Sequence, residues 1–106
     1  MKHLAMTVLL LPIFTGAGGI ARAGEMSGKQ VFDHYCSYCH GAAEGPGSTQ
    51  LARTRGADKA LLTERRDLQA KYVEYVVRHG LRAMPPFVPS DLTDARLKAL
   101  ADFLAR

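Results

Sequence analysis

The sequence contains no tryptophan, only two cysteines and little excess charge of either sign. Two cysteines allow at most one disulfide, which excludes a disulfide-stapled scaffold. They also exclude a zinc site built from two cysteine pairs. Lys2 and Arg22 lie in the first segment, so 12 of the 14 basic residues remain after residue 23 against 10 acidic ones, a net charge of +2. That balance is too mild to indicate a nucleic-acid-binding protein.

Residues 1–23 have the pattern of a cleaved secretory signal peptide. A positive start precedes an apolar run over residues 4–14, and Ala-Arg-Ala at 21–23 fits a leader peptidase site. The alternative is an uncleaved membrane anchor. However, Pro12 and three glycines interrupt the apolar stretch, which falls short of the roughly 20 residues that a span needs. We therefore expect export to the periplasm and a mature domain over residues 24–106, without a membrane span.

The polarity pattern of the mature segment predicts an all-α domain of three to four helices. The first helix is predicted from Ser27, which has capping-box spacing with Gln30, to His40, just before Gly41. A second is predicted over about 68–79, with Asp67 as its cap, and a last one after residue 91 or 93. Residues 41–56 are predicted to be a loop because of the Gly-Pro-Gly at 45–47, and a short helical turn is expected at 59–63.

One short motif, Cys36-Ser37-Tyr38-Cys39-His40, has the C-x-x-C-H spacing of c-type haem attachment. Two thiols on one helical turn are spaced to add to the two vinyl groups of a porphyrin, and the next residue offers an imidazole to the iron. The motif therefore predicts one covalently attached haem c. A haem would also fill the thin core that a domain of this size can build.

Two other interpretations of the cysteine pair are weaker. A redox-active disulfide of the C-x-x-C type is expected beside a βαβ pattern, which the sequence lacks. Half of a zinc site is the other interpretation, but Cys36, Cys39 and His40 leave the fourth zinc ligand unaccounted for.

Met84 is the predicted sixth ligand of the iron. Met1 and Met6 would be removed with the signal peptide, and Met26 would lie at the new N-terminus. Met84 stands in a proline-stiffened segment, residues 84–89, that is suited to holding a thioether in place. The alternatives are that Met84 only packs in the core and that His79 is the ligand. His34 shares a helix with His40 and is predicted to face the same side of the haem.

Filled axial positions indicate an electron carrier and not an enzyme. His/Met ligation raises the reduction potential of the iron and leaves it no open position. The sequence offers no Ser-His-Asp arrangement, paired carboxylates or phosphate-binding loop. A ligand-binding or peroxidase-like haem protein is the alternative, and it requires Met84 to be absent from the iron.

Residues 25–106 resemble a class I cytochrome c. Gly28 and Phe32 match the glycine and the aromatic residue where the first helix of that family crosses the last one, and Leu100 and Phe103 match their partners. Pro46 resembles the proline whose carbonyl accepts a hydrogen bond from the ligand imidazole, which the resemblance makes a cofactor-binding residue. The resemblance implies a small helical fold wrapped around one haem.

The segment Val77–Phe87 is similar to the cytochrome subunit of p-cresol methylhydroxylase-type flavocytochromes. The resemblance implies a FAD-containing dehydrogenase subunit, acting on 4-alkylphenols, as the electron donor, and a separate downstream acceptor. The alternative is a free periplasmic shuttle to a terminal oxidase or reductase. Apolar residues around Met84, including Ala83, are the expected docking face, and candidate partners of the haem propionates are Arg53, Arg55 and Arg82.

Overall fold

The computed structural model describes residues 25–106, and the predicted signal peptide lies outside them. Over this range the chain is all-α, as predicted, and its one β-type feature is an isolated bridge between Leu81 and Met84. None of the helices in the described part is long and apolar enough to cross a membrane. The α-helices of that part are α1 Gly28–Tyr35, α2 Ser37–His40, α3 Pro46–Arg55, α4 Ala70–His79 and α5 Asp94–Leu104. Two 3-10 helices, Ala57–Lys59 and Leu62–Glu64, lie between α3 and α4.

The predicted first helix begins as expected but is broken near its end. Ser27 caps α1 in a capping box: Gln30 N–H donates to Ser27 Oγ at 3.2 Å, and Ser27 N–H donates to Gln30 Oε1 at 2.8 Å. The helix α1 ends at Tyr35 with Cys36 as its C-cap, and α2 starts at Ser37. Ser37 Oγ donates to the Asp33 carbonyl at 2.5 Å, a local bond of the type that bends helices.

The loop predicted over residues 41–56 is wrong, because most of it forms α3. Proline is tolerated at the first position of a helix, where its missing N–H needs no partner, and Pro46 occupies that position with Gly45 as the N-cap. Gly56 ends the helix at φ +104°, a conformation that suits glycine. The Gly-Pro-Gly sequence therefore starts a helix here instead of preventing one.

The predicted cap of the second helix is also wrong. α4 begins at Ala70, and its N-cap Gln69 makes no capping bond through its side chain. The Asp67 carboxylate instead accepts two hydrogen bonds from Arg65, at 2.9 and 2.8 Å. Bidentate pairing with a guanidinium competes successfully with a backbone N–H for the same carboxylate.

The core lies where α1 crosses α5 and where α5 packs on α4. At the first crossing, a Cβ added to Gly28 would lie 2.1 Å from the Ala99 carbonyl oxygen and 2.5 Å from Phe103 Cβ. The rings of Phe32 and Phe103 pack beside it with centroids 6.2 Å apart. The predicted close approach of the first and last helices is thus confirmed. Most of the buried core residues come from these three helices: Val31, Phe32, Val73, Val77, Leu97, Leu100, Ala101 and Leu104.

Gly28→Ala is expected to destabilise the fold, because the added methyl group has no room against the backbone of α5. Overpacking of this kind costs about 1–3 kcal/mol, which corresponds to a fall in Tm of roughly 5–20 °C for a domain of this size. Thermal unfolding followed by circular dichroism measures it. Lys29→Ala, which removes an exposed ion pair with Asp33 from the same helix, is the control and should change stability by less than about 1 kcal/mol. Equal melting curves for Gly28→Ala and wild type would contradict the close packing.

Candidate functional site

A cavity of about 1510 Å³ runs through the domain between α2, α3, α4 and the segment after α4. Its volume exceeds the range of about 300–1,000 Å³ that is usual for small-molecule pockets. Much of its wall is apolar and belongs to the core, including Val73, Val77 and Leu100. The predicted site residues all line it: Cys36, Cys39, His40, Pro46 and Met84.

The His40 imidazole is held against the start of α3. A Cβ on Gly47 would lie 2.5 Å from His40 Cε1 and 2.8 Å from Nδ1, so only glycine fits beside the ring. Nδ1 is buried and has no hydrogen-bond partner in the structure. Burial lowers the pKa of His40. This favours the neutral imidazole, which is the form that binds a metal ion.

The predicted hydrogen bond between His40 Nδ1 and the Pro46 carbonyl is not formed in the structure. Pro46 begins α3, and a carbonyl inside an α-helix points toward the residue four positions later. The residue of α3 that touches the imidazole is Gly47, which sequence reasoning missed. Gly47 lies only seven residues after His40, which indicated that the two could be in contact. The prediction of a loop over residues 41–56 gave no reason to place Gly47 beside the imidazole ring.

Cys36 lies at the junction of α1 and α2, Cys39 lies within α2, and the two are not joined by a disulfide. Burial, with a smaller contribution from Cys39, raises the pKa of the Cys36 thiol to about 11. Among residues 25–106, no group of three or more His, Cys, Asp and Glu side chains is placed to hold a metal ion.

Met84 is presented by a tight turn immediately after α4. Leu81 and Met84 exchange two backbone hydrogen bonds of 3.1 and 3.0 Å. Gly80, at φ +74°, directly precedes this turn. Met84 is half-buried and lines the cavity. Neither His34 nor His79 lines it: His79 stacks on Tyr75, and its Nδ1 lies 2.8 Å from the Tyr75 carbonyl oxygen. Of Met84 and His79, the two candidates for the sixth ligand, only Met84 lines the same cavity as His40.

Three arginines line the cavity, and one of them was not among the candidates from the sequence. Arg55 and Arg82 line it as expected, whereas Arg53 does not. The third is Arg65, whose side chain is only 14% exposed. Its hydrogen bond to Asp67 raises the pKa of Arg65 and holds the pKa of the Asp67 carboxyl well below its usual range. These guanidinium groups suit the carboxylates of a bound cofactor.

The residues present fit a haem on several grounds. The cavity is large and partly walled by the core, and it brings together an imidazole, a thioether and two thiols. Imidazole and thioether are the axial pair of cytochromes that carry electrons. The contact with Gly47 limits where the His40 ring can lie, and burial favours the neutral imidazole, which is the form that ligates iron.

Comparison with known proteins agrees with this chemistry. Residues 23–104 match the family model described as cytochrome c oxidase, cbb3-type, subunit III. A relative from Pseudomonas putida, the cytochrome c subunit of 4-cresol dehydrogenase (hydroxylating), is 32% identical over 108 residues. That alignment covers 99% of this chain and 84% of the relative.

Two crystal structures of p-cresol methylhydroxylase contain a similar chain. In the first, the match has a TM-score of 0.59 at 31% identity and covers 78% of this chain and 96% of the other. In the second, which has substrate bound, the TM-score is 0.59 at 32% identity, with coverage of 76% and 92%. This chain therefore belongs to the cytochrome c family, whose cofactor is haem c, and is an electron-transfer cytochrome of class I related to the cytochrome subunit of p-cresol methylhydroxylase.

Proposed function

We propose that the chain is a periplasmic single-haem cytochrome that accepts electrons from a flavin-containing dehydrogenase acting on 4-alkylphenols. In this proposal residues 1–23 are a cleaved signal peptide and residues 24–106 are the cytochrome domain. Cys36 and Cys39 hold the haem through thioether bonds, with Pro46 beside it, and His40 and Met84 are the axial ligands. When bound, the haem supplies a reversible one-electron couple.

The observation that carries the proposal is the convergence of distant residues on one cavity. Met84 and His40 are far apart in sequence and both line it, together with the two cysteines. The contact with Gly47 limits where the His40 ring can lie, and the two backbone bonds of the Leu81–Met84 turn set the position of the Met84 backbone. Donors at both axial positions favour electron transfer over ligand binding, because they leave the iron no open position.

Two observations support a flavoprotein partner: the identity of the similar proteins and the surface around Met84. The similar proteins are subunits of enzymes named for the oxidation of 4-cresol. Around the half-buried Met84, an apolar surface is open to solvent, which we call the Met84 face: Leu81, Ala83, Pro85, Pro86 and Val88. Exposed apolar side chains beside a redox centre suit the small interfaces of electron-transfer partners.

The proposal is tested by purifying the chain gently from the periplasm of its native cells. Flavin absorbance beside that of low-spin haem c, and reduction of the haem when 4-cresol is added without oxygen, is the expected result. Haem c alone, with no flavin and no response to 4-cresol, would contradict the flavoprotein partner and favour a free shuttle. Recovery of the chain in the cytoplasm with residues 1–23 intact would contradict export.

Val88→Lys is expected to slow haem reduction by the flavoprotein by about tenfold, because docking would bury an unpaired charge. Val88 belongs to the Met84 face, is 49% exposed and does not line the cavity. Stopped-flow absorbance with the separated flavoprotein subunit and 4-cresol measures the rate, and the haem spectrum should be unchanged. Ala57→Lys is the control, since Ala57 is exposed but does not line the cavity. Equal rates for the two variants would remove the Met84 face as the docking surface.

A further inference from the structure

The segment that presents Met84 has little regular structure to hold it. Residues 80–92, which we call the Met84 loop, connect α4 to the start of α5. Apart from the Leu81–Met84 pair, its backbone is tied to α4 by two hydrogen bonds: Gly80 N–H donates to the Val76 carbonyl at 2.7 Å where the helix ends, and Phe87 N–H donates to the Val77 carbonyl at 2.8 Å. The loop also contains three prolines, which donate no backbone hydrogen bonds. Side chains must therefore contribute to fixing the position of Met84.

Arg78 supplies such contacts from the last turn of α4. Its Nη1 donates to the Phe87 carbonyl at 3.0 Å and to the Leu92 carbonyl at 2.8 Å. Its Nη2 donates to Asp94 Oδ1 at 2.5 Å. The Arg78 side chain is 19% exposed, and its two bonds to carbonyls are partly buried, whereas the Asp94 carboxylate is 88% exposed.

The contacts join three parts of the chain that the backbone leaves loosely connected. Phe87 lies three residues after Met84, and Leu92, which is only 1% exposed, anchors the far end of the loop in the core. Asp94 is the first residue of α5. A planar guanidinium has enough donors in a fixed fork to serve all three acceptors at once, which a lysine ammonium on a flexible stem does not reproduce.

The Phe87 end of the loop is held on its other side by an aromatic contact. The rings of Phe87 and Tyr35 meet edge to face, with centroids 6.2 Å apart. Tyr35 Oη in turn accepts a hydrogen bond from Arg96 Nη1 at 3.3 Å. Phe87 is therefore held by Tyr35 of α1 and by Arg78 of α4. Loss of the Arg78 bonds would leave Tyr35 as the remaining side-chain contact of these two.

We infer that Arg78 is a positioning residue that keeps the Met84 loop closed, so that the thioether of Met84 competes successfully with external ligands. The inference rests on the proposed function, because it takes Met84 as the axial ligand. Its physical basis is the population of the open loop. A ligand that binds only when the loop is open gains apparent affinity in proportion to the open fraction, and loss of bonds to a charged donor raises that fraction.

The test is imidazole binding to the oxidised holoprotein, followed by loss of the weak far-red absorption band of methionine-ligated ferric haem. Arg78→Gln is expected to bind imidazole about tenfold more tightly than wild type, because bonds from a charged donor are lost. The imidazole affinity of Arg78→Lys should lie between those of wild type and Arg78→Gln. This variant replaces Arg78→Gln in the test if Arg78→Gln does not fold. Asp94→Asn keeps both carbonyl bonds, and since Asp94 is 88% exposed it should stay within about twofold of wild type.

Val31→Ala is the control for general destabilisation, because Val31 is fully buried and does not line the cavity. If Arg78→Gln and Arg78→Lys bind imidazole as wild type does, the inference is overturned. An equal gain in affinity for Val31→Ala at equal loss of Tm would also overturn it, since the role of Arg78 would then be merely structural. Absence of the far-red band in wild type would instead overturn the proposed ligation by Met84.

Discussion

Replacing Met84 with alanine is expected to lower the reduction potential by on the order of 0.1 V or more, within the ~0.8 V range that axial ligation spans. The thioether stabilises ferrous iron, and no other donor replaces it: among the described histidines, His34 and His79 do not line the cavity. The variant should also bind carbon monoxide rapidly, whereas wild type should not. Redox titration and CO difference spectra measure both effects.

Met26→Ala is the matched control for this experiment. Met26 packs against the core but does not line the cavity, so its loss should leave the potential and the CO response unchanged. If Met84→Ala keeps the wild-type potential, Met84 is only a packing residue. If wild type itself binds carbon monoxide rapidly, the ligand-binding or peroxidase-like interpretation becomes the better one.

Without haem, the chain is expected to be largely unfolded. The cavity of about 1510 Å³ is walled by core residues of α4 and α5, including Val73, Val77 and Leu100. In the apoprotein these residues would lose their contacts across the cavity, and a domain of this size has little stability to spare. Binding of haem to the folded state alone would supply the missing free energy.

The double variant Cys36→Ala/Cys39→Ala removes both attachment thiols, and acid extraction of any haem still held by His40 and Met84 gives the apoprotein. We expect it to lose most of its helical circular dichroism and to be degraded by low concentrations of trypsin that leave the holoprotein intact. Each single variant, which keeps one thiol, should retain part of the haem in a form that is lost more readily. A protease-resistant double variant with native helix content would contradict the prediction.

Local signals in the sequence were sufficient for the beginning and end of the fold. The capping box at Ser27 and Gln30 depends on neighbouring residues only, and it forms as predicted. The approach of α1 to α5 at Gly28 followed from the resemblance to class I cytochromes c, and the steric environment of Gly28 confirms it. α5 begins after Thr93, one of the two positions predicted for its start.

The features that the sequence did not predict correctly depend on contacts between residues that local sequence patterns do not specify. α3 forms across a Gly-Pro-Gly sequence whose composition is typical of loops, with Gly47 packed against His40. Asp67 pairs with Arg65 and not with the backbone of α4. Arg78 reaches acceptors 9 and 14 residues later in the chain, a separation at which one sequence alone gives no pairing signal.

Mass spectrometry of the denatured native protein shows whether haem is covalently attached. We expect the mass of residues 24–106 plus one haem, which should survive denaturation and acid extraction. After digestion, the haem should remain on the peptide that contains Cys36 and Cys39. A polypeptide without haem, or a haem removed by acid extraction, would contradict covalent attachment and with it the proposed site.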